Sequence, residues 1–169
     1  EKMYRWVWLG QAVGVDELIY YMFGDRHRQK PDPNRRYDRI YIGGDYGQQN
    51  ATTFEAFGLD TYRKKIPGLG EYYHSGRETG KQKSPSEYAQ DLVEFMNELH
   101  EQYDNRVFYI FLDPSAKGLA EEIRRATRAV SLDYQVFLRD AENDVALGIS
   151  RVQKVLSFDI MSVSPKQEY

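Results

Sequence analysis

Hydrophobic and polar positions divide the chain into short stretches with two different periods. Runs of β-branched and aromatic residues bounded by turn residues predict strands at 39–44, 52–59 and 72–75. Val107–Leu112 is six apolar residues in a row, which is typical of a strand buried on both faces. A fifth strand is predicted at 134–138. Three strands therefore precede the first helical pattern, and two follow it.

Between and after these strands, apolar residues recur every three or four positions, as on one face of a helix. The first helix opens at Ser84–Glu87, a capping box with proline at the first helical position. Its apolar side comprises Tyr88, Leu92, Phe95, Met96, Leu99 and Tyr103.

Two further helices are predicted by the same spacing. One is capped by Ser115 and directs three apolar residues inward, namely Leu119, Ile123 and Val130. The other is capped by Asn143 or Asp144 and carries an apolar stripe of Val145, Ile149, Val152 and Leu156.

The predicted order of elements is β-β-β-α-β-α-β-α, which indicates a mixed α/β sheet. This is the order of the ribonuclease H-like fold, a five-stranded sheet with three antiparallel strands, then alternating helix and strand, flanked by helices. In that topology the first and fourth strands lie side by side in the middle of the sheet. We assign this domain to residues 39–169. Residues 1–38 are aromatic at first and then polar with two prolines, and we expect them to form an arm or the remnant of a preceding domain.

Composition excludes several classes of protein. With 41% hydrophobic and 29% charged residues, the chain is in the globular range. It has no cysteine, which excludes a disulfide scaffold, thiolate zinc sites and a cysteine nucleophile. No apolar run is long enough to span a membrane, no signal peptide opens the chain, and the start at Glu1 predicts an excised fragment. The net charge of −3 argues against a basic coat for nucleic acid but leaves local basic patches open.

Two aspartates follow the first and fourth predicted strands. Asp45 ends the first and Asp113 ends the fourth, so the proposed topology brings their carboxylates to one edge of the sheet. Adjacent carboxylates repel unless a cation lies between them, and oxygen ligands favour Mg²⁺ or Mn²⁺. Two such ions, with Asp45 bridging them and Asp113 holding one, would clamp a phosphodiester. Glycines beside Asp45, at 43, 44 and 47, would let a phosphate backbone approach.

Each aspartate also has a simpler interpretation, Asp45 as a turn residue and Asp113 as a strand-end residue before Pro114. A third acid is available in Asp144, 31 residues after Asp113, although helix capping alone explains it. His74, in the third strand, is a candidate to support the site, and His100 is expected near a helix end or at the surface.

Basic residues form two local groups. The segment 76–81 looks like a phosphate-binding loop, but it has three residues between its glycines and Gln82 after its lysine, so it is not an ATPase motif. We expect the two groups to project from the antiparallel edge of the sheet, either gripping phosphates or forming a solvated face. Their members are Arg63, Lys64, Lys65, Arg77, Lys81 and Lys83.

Several motifs together resemble the C-terminal nuclease domain of the large terminase subunit of tailed bacteriophages. They are Tyr41–Thr52, Leu112–Ala116, and Asn143–Val145 with Gly148-Ile149 and Arg151-Val152. The stretch Arg5–Gly10, with Val13-Gly14, resembles the linker that joins that domain to the packaging ATPase.

The resemblance implies an endonuclease that cuts concatemeric viral DNA during genome packaging, using two Mg²⁺ or Mn²⁺ ions. Asp45 and Asp113 match the family's first two acids. The family's third acid lies in a His-x-x-Asp-like stretch that is not found before Tyr169, so it lies outside this chain or Asp144 replaces it. The implied partners are double-stranded DNA, an ATPase domain in the same chain, the small terminase subunit and the portal protein, in the host cytoplasm and without a membrane.

Two other functions fit part of the pattern. One is a non-catalytic module that grips DNA or docks on the portal. The other is a nucleotide-binding domain of the actin and sugar-kinase type, which shares the topology and binds phosphates at a Gly-Asp turn. That type needs two such domains and a second glycine-rich loop, and 169 residues supply neither.

Overall fold

The structure, a computed structural model, describes residues 18–47 and 50–165. Its strands are β1 Arg39–Asp45, β2 Thr52–Leu59, β3 Ile66–His74, β4 Val107–Leu112, β5 Gln135–Asp140 and β6 Met161–Ser162. Its helices are α1 Gly76–Thr79, α2 Pro85–Tyr103, α3 Lys117–Ala129 and α4 Val145–Ser157, with a short 3-10 helix at Asp25–His27. None of the helices described is both long and apolar enough to cross a lipid bilayer.

The described strands form one sheet in the order β5-β4-β1-β2-β3-β6. β1, β2 and β3 are antiparallel neighbours, whereas β4 pairs parallel with β1, and β5 with β4. The predicted mixed α/β fold is therefore confirmed, with β1 and β4 adjacent in the middle. The sheet has a sixth strand that the sequence did not predict, because β6 is two residues long and pairs only with the start of β3. β3 also begins at Ile66, earlier than predicted, since Pro67 had indicated a turn.

One face of the sheet carries the main core. Inward residues of three central strands are fully buried beneath α2 and α3, and burying each such side chain contributes about 1.5–3 kcal/mol. They include Ile40, Ile42, Phe54, Phe108 and Ile110.

The start of α2 has the predicted capping box. The Ser84 hydroxyl accepts a hydrogen bond from the Glu87 amide, and the Glu87 carboxylate accepts one from the Ser84 amide. The buried face of α2 includes all six apolar residues that the spacing predicted.

The start of α3 differs from the prediction. Ser115 does not cap the helix, because its amide instead donates to Asp113 Oδ1 and the N-cap position is Ala116. Two predicted core residues, Leu119 and Ile123, are buried, but Val130 follows the last turn and is 48% exposed.

Helix α4 crosses the sheet in the direction opposite to the earlier connections. The β3–β4 and β4–β5 connections both move toward the β5 edge, whereas β5–α4–β6 returns to the β3 side. Because such crossovers are almost always right-handed, α4 is expected on the face opposite α2 and α3. Only Leu156 of its predicted apolar stripe is buried, and Val145, at the start of the helix, is 74% exposed.

The described part of the predicted arm, residues 18–38, packs against the end of the domain. His27 is buried and bonded through Nε2 to the Leu156 carbonyl, and Arg28 forms a parallel bridge with Val163. Tyr37 is buried in the main core. The linker-like motif at 5–10 lies outside the described residues.

Candidate active site

Asp45 and Asp113 lie at neighbouring strand ends. β1 and β4 are paired in parallel with Gly44 opposite Leu112, and each aspartate is the next residue along its strand. Both side chains are exposed. The structure therefore brings these two carboxylates, 68 positions apart in the sequence, to one edge of the sheet.

Asp113 is held by two hydrogen bonds. Its Oδ1 accepts from the Ser115 amide at 2.7 Å, and its Oδ2 accepts from Nδ2 of Asn143 at 2.7 Å. These bonds from Ser115 and Asn143 hold the pKa of Asp113 below its ordinary value, because they stabilise the ionised carboxylate. Nothing in the sequence indicated this contact between Asn143 and Asp113, because it depends on the path of the β5–α4 loop.

Asp144 does what a helix cap does. Its Oδ1 accepts a hydrogen bond from the Leu147 amide at 2.9 Å, in the first turn of α4. Within residues 18–47 and 50–165, no three His, Cys, Asp or Glu side chains are grouped so that they could hold a metal ion.

The three glycines near Asp45 have different roles. At Gly43 an added Cβ would meet nothing within 4 Å, so the surface there is open. At Gly44 a Cβ would lie 2.5 Å from a Leu112 methyl and 3.0 Å from the Phe54 ring. At Gly47 it would lie 2.5 Å from the Ala51 carbonyl. Only Gly43 thus fits the expected approach of a phosphate backbone, whereas core packing requires Gly44 and the turn requires Gly47.

A second pair of acids lies on the face of the sheet that carries Asp45. Glu55 of β2 is opposite Gly43 of β1 and also opposite Glu71 of β3. Burial raises the pKa of Glu71, against the opposing effect of its hydrogen bond with Glu55. The sequence did not indicate this pair, because it depends on the register between β2 and β3.

The two histidines considered earlier serve the fold. His74 is buried and hydrogen-bonded through Nδ1 to the Tyr88 hydroxyl at 2.9 Å. His100 is half-buried, and its Nδ1 is 2.7 Å from the Asn105 carbonyl oxygen. The hydrogen-bond partners of the two rings are thus Tyr88 of α2, Thr79 of α1 and the Asn105 carbonyl just after α2.

The two basic groups lie at opposite ends of the antiparallel strands. Residues 63–65 belong to the β2–β3 turn, at the end where β1 begins. Arg77, Lys81 and Lys83 follow β3, at the end of the sheet that carries Asp45. Lys83 is bound to Asp91 at 2.7 Å, whereas Arg77 is exposed. The two groups therefore do not form one surface, and only the second is near the aspartates.

Solved structures of viral terminases are similar to this chain. No protein-family model and no curated protein matches the chain. Among solved structures, the large terminase from a thermophilic bacteriophage is 31% identical, with a TM-score of 0.71 over 88% of this chain. The match covers 34% of that terminase, so the chain spans about a third of its length.

Two isolated nuclease domains share the fold at lower identity. The P22 large terminase nuclease domain is 11% identical with a TM-score of 0.60, covering 87% of this chain and 72% of that one. The Mn-soaked human cytomegalovirus terminase nuclease domain is 14% identical with a TM-score of 0.62, covering 82% and 72%. In sequence this chain is therefore similar to the large terminase of a thermophilic bacteriophage, and in fold it is similar to the nuclease domains of viral terminases, a ribonuclease H-like fold.

Proposed function

We propose that this domain is a divalent-metal-dependent endonuclease that cuts viral DNA during genome packaging. The observation that carries the proposal is the placement of Asp45 and Asp113 at the paired ends of β1 and β4, in a chain most of which is similar to the large terminase of a thermophilic bacteriophage. We assign Asp45 and Asp113 as the residues that would hold the divalent metal.

The donor chemistry fits Mg²⁺ or Mn²⁺. Two exposed carboxylates provide hard, anionic oxygen ligands, and hydrogen bonds keep Asp113 ionised. A pair of such ions supplies an activated water and stabilisation of the leaving oxygen. Asn143 and Ser115 orient Asp113, and the open surface at Gly43 admits the sugar–phosphate backbone. The residues described supply two of the ligands.

The remaining assignments concern a longer protein. Because the chain matches about a third of the thermophilic phage terminase, we propose that residues 1–38 connect the domain to a packaging ATPase in the same polypeptide. The small terminase subunit and the portal protein are the further partners in this proposal, and double-stranded DNA is the substrate. A third metal ligand in this proposal is either Asp144 or a residue outside 18–47 and 50–165.

Nicking of supercoiled plasmid in Mn²⁺ tests the proposal. We expect Asp45→Asn and Asp113→Asn each to abolish nicking with an unchanged thermal melt. Asp133→Asn, which removes an exposed aspartate before β5, is the control and retains activity. Nicking by Asp45→Asn at the wild-type rate would refute the site. DNA binding that needs no metal, with no hydrolysis by the full-length protein, would favour the non-catalytic gripping module.

A further inference from the structure

A groove leads away from Asp113 along the outer strand of the sheet. It consists of two cavities of about 290 and 510 Å³ between α3 and β5. The smaller is lined by Asp113 and Lys117, and both are lined by Arg124 and Arg139, so the two are continuous. The larger cavity extends to Arg128 in the last turn of α3.

The far part of this groove is positively charged. Among the described residues, three arginines line the larger cavity and no carboxylate does, although the chain as a whole has a net charge of −3. Arg124 and Arg128 are four residues apart on α3, so they lie on the same face of the helix. Arg139 lines the cavity from β5, and its guanidinium lies over the Phe137 ring, 5.8 Å from the ring centre.

Among the described residues, the acidic side chains that line the groove lie at its Asp113 end. Glu121, which is 2.8 Å from Arg124, and Asp140 line the smaller cavity together with Asp113. The groove therefore changes from mixed charge beside the proposed metal ligand to basic away from it. Lys117 and Arg128 are eleven residues apart on α3, which is about 16 Å along the helix axis. This length corresponds to about five nucleotide steps of 3.4 Å along one strand of a duplex.

We propose that this groove binds the phosphate backbone of duplex DNA on one side of the cleavage site. The proposal rests on the proposed nuclease function, because it assumes that DNA reaches the Asp45–Asp113 edge. Arginine forks bind phosphate oxygens strongly, and such contacts hold the duplex without reading its sequence. β5 is the last strand on its side of the described sheet, so an added peptide strand is the competing occupant. The absence of carboxylates among the described residues lining the larger cavity favours a polyanion.

Binding of a fluorescein-labelled duplex, measured by anisotropy without metal, tests the groove. The 169-residue chain carries Asp45→Asn so that it does not cut the DNA. We expect Arg128→Ala combined with Arg139→Ala to weaken binding by roughly tenfold or more. The slope of log K against log salt decreases in magnitude by about 0.9 for each phosphate contact removed. The control is Arg125→Ala, which removes an arginine of the same helix that does not line the groove.

Because the chain has no cysteine, single introduced thiols map the DNA position without background. Duplexes with a bromoacetyl group on one backbone phosphorothioate are expected to alkylate Arg128→Cys and Arg139→Cys much faster than Arg125→Cys. The groove proposal would be overturned if the DNA alkylates all three cysteine variants equally. It would also be overturned if the double alanine variant binds DNA as well as the Arg125→Ala control.

The outcomes separate the two proposals. If the wild-type chain nicks DNA and the groove variants bind DNA normally, the groove proposal is wrong and the nuclease proposal stands. If the groove variants lose binding and the full-length protein does not cut DNA, the groove proposal stands and the nuclease proposal is wrong. A wild-type chain that binds no duplex, or a groove that instead binds an extended peptide in competition with DNA, refutes the groove proposal.

Discussion

Nδ2 of Asn143 donates a 2.7 Å hydrogen bond to Oδ2 of Asp113, linking the loop before α4 to the end of β4. Together with the Ser115 amide it occupies one lone pair on each carboxylate oxygen and fixes the orientation of the group. An amide in this place orients the carboxylate without adding a charge that would compete for a cation.

Asn143→Ala is expected to weaken the proposed metal site. Loss of a group that orients a ligand typically costs about 10–100-fold in metal affinity or activity. The pKa of Asp113 rises toward its ordinary value, so the acidic limb of the nicking profile moves to higher pH. Mn²⁺ titrations of the nicking rate across pH measure both effects. Asn34→Ala, in an exposed loop, is the control, and an unaltered Mn²⁺ requirement in Asn143→Ala would contradict this role.

Substitutions at Asp144 separate capping from catalysis. Asp144→Ala removes the acceptor for the Leu147 amide and is expected to lower the free energy of unfolding by about 1 kcal/mol. Asp144→Ser keeps a capping oxygen but loses the carboxylate, so it retains stability. We expect Asp144→Ser to nick DNA at the wild-type rate. Loss of nicking in a fully stable Asp144→Ser protein would instead identify Asp144 as the third metal ligand.

The neighbouring glycines Gly43 and Gly44 give a matched test of packing. Gly44→Ala forces a methyl against Leu112 and Phe54, and we expect it to cost about 1–3 kcal/mol in urea unfolding. Gly43→Ala adds the same methyl into open space and leaves stability nearly unchanged. Equal midpoints for the two variants would show that the core around Gly44 relaxes freely.

Asp60 makes stability depend on pH. Burial opposes ionisation of this nearly buried carboxylate, but hydrogen bonds from Arg35 and the Arg63 amide outweigh it, so its pKa is lowered. A carboxylate with a lowered pKa in the folded state stabilises the fold above its unfolded pKa of about 3.9, and this stability is lost as the pH falls.

Asp60→Asn is accordingly expected to lower the free energy of unfolding at pH 7 by about 2 kcal/mol. It also flattens the loss of stability below about pH 5. Urea titrations at several pH values measure both effects, with Asp133→Asn as the exposed control. Parallel pH profiles for wild type and Asp60→Asn would exclude this contribution.

Local patterns predicted most of the fold. The capping box of α2 and the apolar run of β4 are encoded by neighbouring residues, and both elements were confirmed, although β4 is buried on one face and only half-buried on the other. Short or interrupted elements were not predictable in this way. β6 exists only because it pairs with β3, and the proline and glycines at the start of β3 conceal a strand.

Local patterns also predicted part of the candidate site. Asp45 and Asp113 follow recognisable strands, so the topology was enough to bring them together. The contact of Asn143 with Asp113, and the Glu55–Glu71 pair, depend on loop path and strand register, which single-sequence patterns do not carry. The two basic groups could not be assigned to opposite ends of the sheet before the β2–β3 hairpin was defined.

The close fit of Gly44 between Phe54 and Leu112 has a consequence for how a cation would be bound. Strands β1, β2 and β4 meet there without room for a methyl group, so the backbone that carries Asp45 is already immobilised by the core. Binding of an ion would then restrict only the rotation of the Asp45 side chain, because the main chain is already fixed. The conformational entropy that the protein loses on binding would therefore be small. In this respect the ligand is preorganised, and its rigidity comes from apolar packing on the opposite side of the same strand.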